Sequence, residues 1–299
     1  MTAMQRRLLS WYAQRGRHTL PWRGTRDPYR ILVAEFMLQQ TQVDRVVPKY
    51  EAFLARFPDI ASLAEASVAE VLRAWQGLGY NTRALRLKRI AQVVLDRFES
   101  RIPAADSQLR ALPGIGPYTA AALRVFAFEE QEVALDINVT RVLRRLLHEP
   151  DRRRAERRRL YRSALAMVPV GRAHDWNSAL MDLGATICTA RVMQCNLCPL
   201  RRHCATASGN GAASQGAAIA RRRERQPRFE TTMRYARGRI IERLRDLHPH
   251  ERISLFDLHA DLRPQLARSQ TEIVALVQTL EREGFVEVSD GQVALSSRR

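Results

Sequence analysis

Between Pro28 and about Ala205 the apolar positions recur at helical spacing, and strand-like alternation is nearly absent. That spacing puts apolar side chains on one face of successive helices, so this body of the chain is predicted to be all-α. Ile31, Phe36 and Met37 mark one stripe and Leu63, Val68 and Val71 another, while Pro58, Gly77, Gly79 and Pro103 divide the run into short helices with short loops. Over 206–219 the large side chains give way to Thr, Ala, Ser, Gly and Gln, the composition of a flexible linker. A basic run from Arg221 to Arg228 follows, and helical spacing resumes from about Thr231 to Leu247. Ser254 to Leu262, a helix opened by the capping-box pattern Ser269-Gln270-Thr271-Glu272, and alternating stretches at Phe285–Val288 and Gln292–Leu295 complete three helices and a terminal hairpin. This order predicts a winged-helix-like module, a fold that contacts DNA in some proteins and protein partners in others. The expected division is a helical domain over 1–205, a basic linker over 206–230 and the small module over 231–299.

Charge narrows the class of partner. Lys and Arg total 49 against 31 acidic residues, a formal charge of +18, and Lys49 and Lys88 are the only lysines. Arginine's planar fork matches phosphate oxygens and stacks on bases, so an arginine-rich cationic chain points to nucleic acid. The cluster Arg152, Arg153, Arg154, Arg157, Arg158 and Arg159 has the density of a solvated helix face that adds to a nonspecific field. No segment has the apolar length of a membrane span, and Met1–Gly16 lacks a signal-peptide core. A cytoplasmic, nucleoid-associated monomer is expected.

All four cysteines, Cys188, Cys195, Cys198 and Cys204, fall within seventeen residues, separated by six, two and five positions. Four soft ligands on one short segment can close around zinc or an iron–sulfur cluster, and spacing alone does not choose between them. Upstream, Leu112-Pro113-Gly114-Ile115-Gly116-Pro117-Tyr118 places two glycines immediately before a helical run. Without a β-carbon the backbone can approach a phosphate, and the free N–H groups of the next helix favour the anion. A helix-hairpin-helix of this kind grips DNA without reading sequence.

With these motifs go Leu20-Pro21-Trp22-Arg23, Glu35-Phe36-Met37-Leu38-Gln39-Gln40-Thr41, Trp75-Gln76-Gly77-Leu78-Gly79-Tyr80, Asp136-Ile137-Asn138-Val139 and Met181-Asp182-Leu183-Gly184. In this order they resemble the helix-hairpin-helix DNA glycosylases with a four-cysteine cluster loop, and within them the MutY-type A/G-specific adenine glycosylases, over nearly two thirds of the chain. The resemblance implies a two-lobed helical fold, a [4Fe–4S] cluster on Cys188, Cys195, Cys198 and Cys204, and a duplex DNA partner carrying a mismatch or lesion. The cluster would fold a loop whose Arg191, Arg201, Arg202 and His203 face the phosphate backbone. By the same resemblance Gln40 and Tyr80 enter the duplex, Gln39 and Thr41 flank that contact, Trp22, Arg23 and Asn138 line or support the base pocket, and Gly114 and Gly116 hold the backbone.

Cleaving an N-glycosidic bond requires protonation of the departing base and stabilisation of a cationic sugar, hence two carboxyl groups in different environments. The family pattern assigns them to Glu35 and Asp136. Glu35 lies in the apolar stretch Ile31–Leu38, where burial would raise its pKa and keep it protonated as a general acid. Asp136 lies at a predicted helix start, where backbone donors would hold it ionised; a plain helix cap is the other reading. Bifunctional relatives carry a lysine at the position of Tyr118, and a phenol forms no imine, so a monofunctional enzyme is expected.

Departures bear on the substrate. No Nudix-like sequence with a Phe-Ser-His loop follows Cys204; Asn81 follows Tyr80 where a second tyrosine is usual; Ile137 replaces a common glycine; Ser178 stands where Glu or Gln is frequent. The rival readings are a thymine or uracil mismatch glycosylase, and a noncatalytic DNA-binding module. The C-terminal module could serve a repair-protein contact.

Overall fold

The computed structural model describes residues 1–148, 154–208 and 228–299, with 154–157 described through the backbone alone. Residues 209–227, which hold most of the expected linker and all of the basic run except Arg228, lie outside the described residues. So do Arg152, Arg153 and the side chains of Arg154 and Arg157.

In chain order the helices are α1 (Ala3–Arg15), α2 (Pro28–Leu38), α3 (Val43–Arg56), α4 (Ile60–Glu65), α5 (Val68–Ala74), α6 (Thr82–Phe98) and α7 (Asp106–Ala111). There follow α8 (Pro117–Phe126), α9 (Ile137–Leu147), α10 (Arg154–Ala166) and α11 (Ala173–Thr186). The last segment contains α12 (Met233–Arg245), β1 (Ile253–Ser254), α13 (Leu255–Leu262), α14 (Gln270–Arg282), β2 (Val286–Ser289) and β3 (Gln292–Leu295). Among the described residues no helix is long and apolar enough to cross a membrane.

These elements form two compact units, Met1–Glu35 with Pro103–Arg221 and Phe36–Ile102 with Arg222–Arg299. In the first, α11 packs against α1, α8 and α9, burying Trp176, Leu180 and Leu183. Its Asn177, fully buried, accepts from Ala134 N (2.8 Å) and donates to Glu132 O (3.1 Å) and Ala173 O (2.8 Å). An irregular segment leading to Asp136 thus has its backbone groups satisfied without a sheet. Gly184 is required by packing: a β-carbon there would lie 2.9 Å from Asn138 Cβ.

In the second unit α4 packs on α6, and Phe53, Phe57, Leu63, Trp75, Leu87 and Ile90 fill the core. Short helices are stopped and started by their own caps, Asp59 accepting from Ser62 N at 2.7 Å and Ser67 forming a capping box with Glu70. The C-terminal segment has the order helix, strand, two helices, hairpin, with β3 between β1 and β2 in an antiparallel sheet. It is the winged-helix-like module, and Ser269 and Glu272 make the capping box read from the sequence. The compact units cut across the boundaries read from the sequence, because this module joins residues 36–102. Val68 N and Ala69 N, the otherwise orphan donors of the first turn of α5, donate to Arg298 O (3.0 Å) and Ser296 O (2.9 Å).

Candidate active site and cysteine loop

The hairpin reaches α8 through Gly114, whose φ of 83° falls in the left-handed region, and Gly116, the N-cap of α8. A β-carbon at Gly116 would meet nothing within 4 Å, so no internal packing demands glycine there and the space above the backbone is open. No side chain caps α8, which leaves its first N–H groups available.

Two residues into α8, Tyr118 donates its hydroxyl to the carboxylate of Glu35 on α2. Burial is the main influence on Glu35 and raises it to about 7; the Tyr118 hydrogen bond opposes this, nearby Asp136 adds to it, and the Arg23 guanidinium pulls the other way. Burial likewise drives the Tyr118 hydroxyl well above its ordinary range. Asp136 caps α9, its Oδ1 accepting from Val139 N at 2.6 Å and its Oδ2 from Asn138 Nδ2 at 3.1 Å. The donors expected from the sequence are present, yet burial outweighs them and the Asp136 carboxyl lies above its usual range rather than below it. Helix cap and neighbour of Glu35 are therefore one residue. The pair comprises a neutral-leaning carboxyl able to give up a proton and a second carboxyl surrounded by donors and Arg141.

Arg23 donates Nη1 to the fully buried Ser178 Oγ and Nη2 to Asp182 Oδ1 (3.0 Å), while its Nε has no hydrogen-bond partner among the described residues. Asp182, itself fully buried, also accepts from Arg17 N (2.8 Å) and Nε (2.8 Å). Trp22, half-buried, adjoins Arg23 in the turn Pro21–Arg23. The first unit thus brings together Arg23, Glu35, Tyr118, Asp136 and Asn138.

Gln39, Gln40, Thr41 and Tyr80 belong to the second unit. Arg83, which the sequence reading passed over, joins their two loops: Nη1 donates to Phe36 O (2.8 Å), Met37 O (2.9 Å) and Gln39 O, and Nη2 to Thr41 Oγ1 (3.0 Å), Leu78 O (2.9 Å) and Gly79 O (3.2 Å). Burial lowers its guanidinium to about 10. A buried cation held by carbonyl dipoles needs all of them, so both loops are fixed at one centre. Gln40 (φ 57°) and Tyr80 (φ 45°) sit in the left-handed region without being glycine, and both are exposed. Non-glycine residues in such conformations cost of order 1 kcal/mol each and persist where the surroundings enforce them. A preceding Gly77-x-Gly79 is the sequence signal for such a turn; nothing local marks Arg83.

Cys188, Cys195, Cys198 and Cys204 line one cavity with Arg145. Burial foremost pushes the Cys198 thiol to about 11, with the other three cysteines adding. Arg145, on α9, donates to Cys188 Sγ (3.3 Å) and Thr189 O (2.7 Å), and Arg141 to Cys188 O (3.0 Å) and Gly184 O (2.6 Å). The helix capped by Asp136 therefore also anchors the cysteine loop. Among the described residues no three His, Cys, Asp or Glu side chains converge as a site for a single ion. Arg191, Arg201, Arg202 and His203 are exposed on this loop.

Residues 33–165 match the model of the HhH-GPD superfamily base excision DNA repair proteins. The chain is 42% identical over 240 residues to the adenine DNA glycosylase of Mycolicibacterium smegmatis, covering 80% of this chain and 79% of that one. It is 39% identical over 245 residues to the adenine DNA glycosylase of Mycobacterium tuberculosis H37Rv, covering 80% and 77%. A solved thermostable thymine-DNA glycosylase superposes with a TM-score of 0.64 at 30% identity, over 69% of this chain and 95% of that one. The chain belongs to the HhH-GPD superfamily of base-excision DNA repair proteins and, within it, to the MutY-type adenine DNA glycosylases.

Proposed function

We infer that this glycosylase hydrolyses the N-glycosidic bond of adenine mispaired with 8-oxoguanine or guanine in duplex DNA, and that it is monofunctional. The observation that carries the chemistry is Glu35, raised to about 7 by burial and neighboured by Asp136. Protonated Glu35 gives its proton to the departing purine, ionised Asp136 stabilises the cationic sugar or adds to it transiently, and water then bonds to the sugar carbon and loses a proton to the Glu35 carboxylate. Tyr118 orients the Glu35 carboxyl through its hydroxyl. Trp22, Arg23 and Asn138 line or support the base pocket. Gln40 and Tyr80 enter the duplex, flanked by Gln39 and Thr41, and fill the stack left by the extruded base. Gly114 and Gly116 let the hairpin backbone approach a phosphate, for which the open space above Gly116 leaves room.

The test is single-turnover base release from duplexes bearing A opposite 8-oxoguanine, A opposite G, T opposite G and U opposite G, each sampled with and without alkali. Strand breaks from the adenine duplexes only after alkali are expected, since Tyr118 cannot form an imine. Breakage without alkali would overturn monofunctionality. Release confined to T or U would establish the second reading, which the likeness to a thymine-DNA glycosylase favours. A chain that binds all four duplexes and releases nothing would be a binding module.

Cys188, Cys195, Cys198 and Cys204 line one cavity, and four soft thiol donors on one loop fit the iron–sulfur group that the family resemblance implies. A [4Fe–4S] cluster there would supply a structural tie for the loop, with Arg145 donating to the Cys188 sulfur. Purified protein is expected to contain iron and acid-labile sulfide, both lost in Cys198→Ser together with duplex binding. Zinc without sulfide would overturn this assignment.

A further inference from the structure

Helix α12 of the C-terminal module walls a groove of about 940 Å³ whose other wall is the pair of loops fixed by Arg83. Five arginines and two glutamates line it. Arg237 and Arg239 pair with Glu283 and Glu242, and Arg245 donates to Asn81 Oδ1 at 2.7 Å. Arg45 and Arg234 make no salt bridge among the described residues, so the groove keeps positive charge. Arg234 donates Nη1 to the Tyr80 hydroxyl (2.9 Å) and lies 4.9 Å over the Tyr80 ring and 5.1 Å over the Phe229 ring. The outcome is a stack of aromatic ring, guanidinium and aromatic ring in which Tyr80 is 38% and Phe229 49% exposed. Phe256, 67% exposed on α13, lies outside the groove.

We propose that Phe229, just ahead of the C-terminal module, and Arg234, on the module's first helix, are duplex-reading residues, forming with Tyr80 a platform on which the nucleotide opposite the excised base stacks. This rests on the DNA glycosylase reading. Two exposed aromatic rings, each with the Arg234 guanidinium over its face, accept a base by stacking and cation–π attraction, and the surplus positive charge suits the phosphate attached to it. Protein partners of acidic character would also meet the charge, yet they have no need of a planar stack beside the loop at Gln40, so the observations favour nucleic acid.

The test uses full-length protein and a duplex with a non-hydrolysable abasic analogue facing 2-aminopurine, so that binding is read whether or not adenine is the substrate. Wild type is expected to quench the 2-aminopurine. Phe229→Ala and Arg234→Ala are expected to lose the quenching and to bind about tenfold more weakly. Arg234→Lys, which keeps charge without the plane, should not restore quenching, and Phe256→Ala should bind like wild type. Circular dichroism and urea unfolding identify a variant that fails to fold. Binding within twofold of wild type for Phe229→Ala and Arg234→Ala, equal weakening by Phe256→Ala, or full rescue by Arg234→Lys would each overturn the platform. Absence of base release from adenine duplexes with quenching intact would instead sink the substrate assignment and leave the platform standing.

Discussion

Asp136→Asn is expected to lower single-turnover base release by about a thousandfold or more while duplex binding stays within a few-fold of wild type. The substitution is close to isosteric, and asparagine caps helices as well as aspartate does, so the bond to Val139 N and the start of α9 survive. What disappears is the negative charge beside the developing cationic sugar. Because α9 also carries Arg141 and Arg145 to the cysteine loop, a harsher change such as Asp136→Ala would confound loss of charge with loss of the cap. Unfolding of Asp136→Asn should show no loss of stability at neutral pH, since burial already disfavours the ionised form. Activity within tenfold of wild type would reduce Asp136 to a helix cap.

Glu35→Gln removes the general acid and is expected to cost about 10²–10⁴ in the rate of base release. The pH profile carries the sign. Glu35 must be protonated, so activity is present below about 7 and lost as pH rises through that value. Asp136 must be ionised, so activity also falls on the acid side, at a pH above the ordinary aspartate range because burial raises its carboxyl. A bell-shaped kcat/KM follows, with the alkaline limb absent in Glu35→Gln. Stability falls in the same direction. A Glu35 raised from 4.5 to about 7 binds a proton more tightly when folded, so its penalty is absent below 4.5, grows between 4.5 and 7 and is complete above 7. That penalty is about 3 kcal/mol, and Glu35→Gln should recover much of it, so the inactive variant unfolds at higher urea than wild type at pH 8. An alkaline limb retained by Glu35→Gln would assign the titration to another group.

The relation of sequence to site differs from residue to residue. The burial of Glu35 was legible because α2 is apolar around it, and the turn before α8 because two glycines and a proline have few other uses. Ser269 and Glu272 announced α14 through a contact three residues long. Asp136 was legible as a cap, and the direction of its shift was not, since a cap is local whereas burial sums over every element packed around it. Ser178 read as a departure from a family pattern; in the fold it is a buried acceptor for Arg23.

Local chemistry thus determined the helical body, the winged-helix order, the clustering of the four cysteines and the residue types able to cleave a glycosidic bond, because each depends on neighbours within a few positions. Tertiary structure alone decided that Arg83 would bind the Gln39–Thr41 and Leu78–Gly79 loops at one centre, that Asn177 would secure the approach to Asp136, and that Arg234 would lie on Tyr80 from 154 positions away. A buried guanidinium or amide is satisfied by whichever backbone groups the fold delivers to it, and such groups carry no signature in the chain from which they come.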